Sequence, residues 1–296
     1  MRRSDDSQRP RVVDDSGAYL REVHQEIRLV RMMNRPVVLT WWLLVANVVF
    51  WGAAKFHGMW LGDQGLASSY LNAEQLAFFT GMKVNEAIAD GAWWRLISSQ
   101  FVHLDILHLL FNGYGIWVLG RFLERCYGIR RMLVLYLASG TVGAYASFLL
   151  NPVPAGGASG AVYGLVGAAV VFGIKYRESL PRKLSLALTL GLVPWIVLSL
   201  GIGFIETIPM DNAAHIGGLV TGAGLAAMMA SRFRQEQQGK WAGHIVTFGT
   251  VVAVVGLIWT LGAWSDEVIT CLPSVDAYAQ CYPELVVEIR QVALSR

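Results

Sequence analysis

Apolar stretches of near 20 residues recur along this chain. A hydrocarbon core about 30 Å thick is crossed by about 20 such residues in a helix, because only helices and closed barrels satisfy their backbone without water. We read seven of them, near 37–56, 98–120, 131–150, 159–176, 184–204, 212–231 and 245–264. With 54% hydrophobic and 15% charged residues and a mean hydropathy of +0.45, the composition departs from that of soluble domains. The expected fold class is an all-α, polytopic membrane bundle.

Positive charge sets the orientation. Nineteen of the 24 Lys and Arg fall on one side: eight in the N-terminal arm, and the rest in the connections holding Arg121 to Arg131, Lys175 to Lys183 and Arg232 to Lys240. Lys55, Lys83, Arg95, Arg290 and Arg296 fall on the other. Positive charge is retained in the cytoplasm, so the N-terminus is expected inside and the C-terminus outside, in a bacterial plasma membrane. The net charge of +3 follows from this asymmetry, and no basic stripe interleaved with aromatics marks a nucleic-acid partner. Residues 1–36 read as a cytoplasmic arm with an amphipathic turn or two around Leu20 to Met33. No apolar run before a small-residue cleavage site identifies a cleaved leader, so the first span is expected in the mature protein.

The connection at 57–97 is long and carries Trp60, Phe78, Phe79, Trp93 and Trp94. Such rings favour the headgroup zone, so it is expected in the outer interface. Cys126 lies at the inner end of the second span. Cys271 and Cys281 lie in the outer tail, where a disulfide is expected in an oxidising compartment, with two unpaired thiols as the alternative. His103 and His108, five apart, would be separated on a helix surface, and neither has a thiolate or carboxylate set at ligand spacing. No metal and no cofactor is expected.

Two apolar stretches carry a nucleophile and a base. Pro152, Pro154, Gly156 and Gly157 keep the backbone irregular up to Ser159, which places that serine at a helix N-terminus facing protein or a water-filled cavity. Free N–H groups there suit a developing oxyanion. Tyr163 follows four residues on, on the same face. Gly160 and Gly164 form one small-xxx-small pair and Gly218 and Gly222 another, just after His215, so two notched helices can approach closely. This can bring His215 to Ser159 with Tyr163 beneath the imidazole, the unit of nucleophilic catalysis. His108 and Asn112 share a face of the second span and can add donors to an oxyanion site, or else serve helix packing alone. Asp211, four residues before His215, reads better as an N-cap than as a third catalytic member.

Together these residues resemble the rhomboid intramembrane serine proteases. The likeness runs over about 37–231 and rests on Trp94-Arg95, the series His103, His108 and Asn112, Glu124 with Gly128, Gly157-Ala158-Ser159-Gly160 with Tyr163, and Ala214-His215 with Gly218 and Gly222. It implies a six-helix protease core with a Ser159/His215 dyad, an oxyanion site from His108, Asn112 and the Ser159 backbone, and cleavage of single-span or polytopic membrane proteins near their outer ends. It further implies a structural first loop and a mobile cap over Phe204 to Asp211. The seventh span departs from that core. It leaves 232–264 as a linker plus an added helix and 265–296 as an extracytoplasmic tail. The rival expectation is a non-catalytic relative that binds or escorts transmembrane segments.

Overall fold

The computed structural model describes residues 15–63, 81–205, 210–232, 248–252, 255–256, 258–260 and 262–263. The architecture is helical, as the apolar periodicity requires. An amphipathic α1 (Asp15–Met33) precedes α2 (Leu39–Asp63). Two short helices, α3 (Asn85–Ala89) and α4 (Arg95–Ser98), follow in the first connection. The bundle continues with α5 (Ile106–Tyr127, with a π-helical turn at Ile116–Gly120) and α6 (Ile129–Leu150). It closes with α7 (Ser159–Lys175), α8 (Arg182–Leu188), α9 (Val193–Ile202) and α10 (Asn212–Met228). Among the described residues, three stretches are long and apolar enough to cross a membrane by length and composition: Ile106–Tyr127, Ile129–Leu150 and Arg182–Ile202. Leu39–Ala53 and Ser159–Lys175 are shorter apolar helices. The protein is an all-helical integral membrane protein.

The second span differs from the expected 98–120. Val102 is extended, and the Asp105 carboxylate accepts from His108 N at 2.9 Å. That cap starts the helix at Ile106, and it runs on to Tyr127, where Gly128 at φ +84° ends it. The fifth stretch, expected at 184–204, is interrupted between Leu188 and Val193. Residues 57–63 are helical in backbone, while Phe78 and Phe79, the linker 233–247, and the tail with Cys271 and Cys281 lie outside the described residues.

The core runs along α7, whose Ala161, Leu165, Ala168, Ala169 and Phe172 are wholly buried against Ile116, Leu123, Met132 and Leu135. Apolar side chains also cover the outside: Val197, Leu198 and Trp195 on α9, and Val48, Val49 and Trp42 on α2. An apolar exterior around an apolar core is what lipid in place of water permits. At 17 residues, α7 is only about 26 Å long. That is somewhat less than a hydrocarbon core about 30 Å thick.

Close helix contact depends on glycine. A Cβ on Gly218 would lie 2.0 Å from the Gly160 carbonyl oxygen, and one on Gly222 2.0 Å from that of Gly164. On the α7 side, a Cβ on Gly164 would lie 2.1 Å from Ser139 Cβ and 3.2 Å from the Gly218 carbonyl. The four glycines therefore bring the α7 and α10 backbones into direct contact.

Candidate active site

The site is assembled where the segment 151–158 turns into α7. Pro152 and Pro154 carry no N–H and hold the chain extended. Ala155 exchanges both backbone hydrogen bonds with Lys83, at 2.9 and 3.0 Å. Gly157 then takes φ +130°, and its N–H donates to Ser99 O at 2.9 Å. Ala158 is the helix N-cap. Ser159 is thus the first helical residue, and its N–H belongs to the turn that has no intrahelical acceptor.

Ser159 Oγ lies 2.9 Å from His215 Nε2. His215 is 3% exposed, and its ring stacks on that of Tyr163, with centroids 4.2 Å apart and planes 13° from parallel. Tyr163 is fixed in turn by its hydroxyl, which donates to Ser199 Oγ at 2.6 Å, and by contact with the Trp195 ring. For Nε2 to accept the serine proton the neutral imidazole must carry its hydrogen on Nδ1, and among the described residues Nδ1 is buried without a hydrogen-bond partner. Asp211 does not reach it. One Asp211 oxygen accepts from Ala214 N at 3.1 Å and the other is bonded by Ser147 Oγ, so this carboxylate caps α10.

His108 and Asn112 face the same turn. A Cβ on Gly157 would meet His108 Nε2 at 2.6 Å and Asn112 Nδ2 at 3.3 Å, so both side chains press against the backbone that leads into Ser159. His103 Nε2 receives Asn112 Nδ2 at 3.1 Å and Ala158 N at 3.4 Å. It is therefore the unprotonated nitrogen, and Nδ1 donates to Phe101 O at 3.2 Å. The separation of His103 and His108 expected from a shared helix is corrected here. His103 precedes α5, and the rings meet edge to face with centroids 5.1 Å apart. Among the described residues no cluster of three or more His, Cys, Asp or Glu is placed to hold a metal.

Trp94 and Arg95 brace the first connection and do not face Ser159. Both are buried, the guanidinium lies over the Trp94 ring at 4.8 Å, and Nη1 donates to Met82 O at 3.2 Å. Glu124 takes part in helix capping. One of its oxygens accepts from Val38 N and Leu39 N, each at 2.8 Å, and the other from Thr40 N at 2.8 Å and Thr40 Oγ1 at 2.6 Å.

Sequence reasoning missed Lys83, Gln100, Ser147 and Ser199. A cavity of about 30 Å³ beside Ser159 is lined by Lys83, Gln100, Ser147 and Asp211 among others, enough for a water molecule among polar groups. Burial holds the Lys83 ammonium below the ordinary lysine range, opposed by the nearby Asp211 and Glu86 carboxylates. No signal marked this lysine, since a charge in an outer connection reads as solvated.

A helical membrane protein with a serine at a buried helix start, an imidazole in hydrogen-bond contact and polar side chains around the entering turn is the class these observations define. Residues 90–232 match the family model described as Rhomboid domain. The chain is 40% identical over 158 residues to rhomboid protease GluP of Bacillus subtilis (strain 168), covering 53% of this chain and 30% of that protein. It is 35% identical over 134 residues to rhomboid protease GlpG of Yersinia pestis (strain Pestoides F), covering 44% of this chain and 45% of that protein. The chain thus spans less than half the length of these relatives. Residues 90–232, just under half of the chain, are similar to the rhomboid family.

Proposed function

We propose that this protein is an intramembrane serine endopeptidase, with Ser159 as nucleophile and His215 as base. The observation that carries the reading is the 2.9 Å contact between Ser159 Oγ and His215 Nε2, made between two helices in backbone contact. The naming of the relatives as rhomboid proteases supports it.

His215 Nε2 takes the Ser159 proton as Oγ attacks the substrate carbonyl carbon. The oxygen of the tetrahedral intermediate is received by the Ser159 N–H with His108 and Asn112, and such donors are each worth about 10²- to 10³-fold in rate. Collapse breaks the C–N bond, and the amine leaves with the proton held on His215. Water, deprotonated by the same nitrogen, then cleaves the acyl ester and restores the serine. With no acidic partner at Nδ1 among the described residues, His215 is oriented by the Tyr163 ring. A helical substrate hides its peptide bonds, so the cut segment must unwind, and residues with low helix propensity near the cut are favoured.

The core is assigned to 37–231, in a bacterial inner membrane with the N-terminus cytoplasmic, the C-terminus outside, and transmembrane segments of other proteins as substrates. The test is cleavage of a single-span model substrate in liposomes by wild type, Ser159→Ala and His215→Ala. Cleavage by wild type alone is expected. If all three bind the substrate and none cuts it, the protein is a transmembrane-segment binder.

A further inference from the structure

The segment that delivers Ser159 cannot hold itself in place. Pro152 and Pro154 remove two of its backbone donors, and the last carbonyls of α6 lack intrahelical partners. Their donors come from the first connection. Lys83, only 1% exposed, places its Nζ 2.6 Å from Asn151 O and 2.9 Å from Val153 O. Its backbone pairs in both directions with Ala155. Asn85 Nδ2 adds bonds to Phe148 O at 3.0 Å and Asn151 O at 3.3 Å. The clamp is anchored from behind, where Ser98 Oγ donates to Gly81 O at 2.6 Å and Arg95 Nη1 to Met82 O at 3.2 Å.

We infer that Lys83 is a positioning residue for the reaction. By holding the carbonyls of Asn151 and Val153 it sets the path of 151–158, and so the place of Ser159 Oγ relative to His215. The same side chain lines the cavity with Ser159 and Asp211, so its removal alters the floor of the site without touching the reacting atoms. The inference rests on the Ser159/His215 reading. It adds a residue of the outer connection to that site and assigns the connection a role in catalytic geometry beyond membrane anchoring.

The test uses full-length wild type, Ser159→Ala, Lys83→Met and Lys83→Gln in liposomes. Three quantities are read: kcat and KM on a single-span substrate, the rate at which a fluorophosphonate labels Ser159, and amide exchange at Ala155 and Gly157. Lys83→Met is expected to lose about 10- to 100-fold in kcat, the scale of a small misplacement of a reacting group. Labelling should slow in parallel, with KM nearly unchanged and faster exchange at Ala155 and Gly157. Lys83→Gln keeps an N–H donor on a shorter stem and carries the same test if Lys83→Met does not fold. Wild-type kcat and labelling in the folded variants, or a change confined to KM, would overturn the inference while leaving the Ser159/His215 reading intact. If wild type itself neither cleaves nor labels, the catalytic reading falls and the positioning role with it.

Discussion

Gly218→Ala separates the packing argument from the catalytic one most sharply. The added Cβ would stand 2.0 Å from the Gly160 carbonyl oxygen, which is backbone and cannot rotate away. Relief to a tolerable 3.0–3.4 Å requires the α7 and α10 backbones to part locally by about 1.0–1.4 Å, since packed interiors hold little slack. Gly160 directly follows Ser159 and Gly218 lies three residues after His215, so the separation falls at the reacting pair. The 2.9 Å Ser159–His215 contact would then stretch to about 4 Å, beyond hydrogen-bond reach.

Overpacking of this kind costs about 1–3 kcal/mol in stability, and the lost alignment about 100-fold in rate. Gly224→Ala is the matched control. It lies on the same helix with nothing within 4 Å of its Cβ position, and it should be neutral or gain up to about 1 kcal/mol from the better helix former. The assay is fluorophosphonate labelling of Ser159 in liposomes, at a temperature where thermal melts show both variants folded. Gly218→Ala labelled at the wild-type rate with an unchanged melt would refute the claim that glycine contact sets the pair.

Asp211→Asn keeps a cap for Ala214 N and should retain cleavage within about tenfold of wild type, whereas His215→Ala abolishes it; equal losses in kcat would show that a third catalytic member had been overlooked. Glu124→Ala strips four accepted hydrogen bonds from the first turn of α2 and should cost about 2–4 kcal/mol, read as a lowered melting temperature with KM preserved in the protein that remains folded.

The parts of the site legible in the sequence were those with a spacing. Ser159 with Tyr163 and His215 with Gly218 and Gly222 sit at helical intervals, and the prolines before Ser159 announce an irregular entry. Helix type was readable because the apolar stretches are long, but ends set by a single side chain were not. Asp105 moves the start of the second span eight residues past its apolar onset, and hydropathy does not register a cap. Lys83 was illegible for a related reason. Its partners are the carbonyls of Asn151 and Val153, some 70 residues away in the chain, and contact with backbone leaves no pattern in side-chain identity.

Four charged groups, of which Glu124 and Lys83 are buried, Asp211 half-buried and Lys175 exposed, show how this fold places charge beside an apolar core, where an unpaired ion is costly. Glu124 sits at the N-terminus of α2 and Asp211 at that of α10. Lys83 sits at the C-terminus of α6 and Lys175 at that of α10, with its Nζ 2.8 Å from Met229 O. Each sign is the one the helix dipole favours at that end, and each group is bonded to backbone atoms the helix leaves unpaired. The carboxylate nearest the imidazole is therefore committed to a helix end. In the proposed reaction, proton movement between Ser159 and His215 must rely on geometry, with the imidazole held by an aromatic ring on one side and by glycine contact on the other.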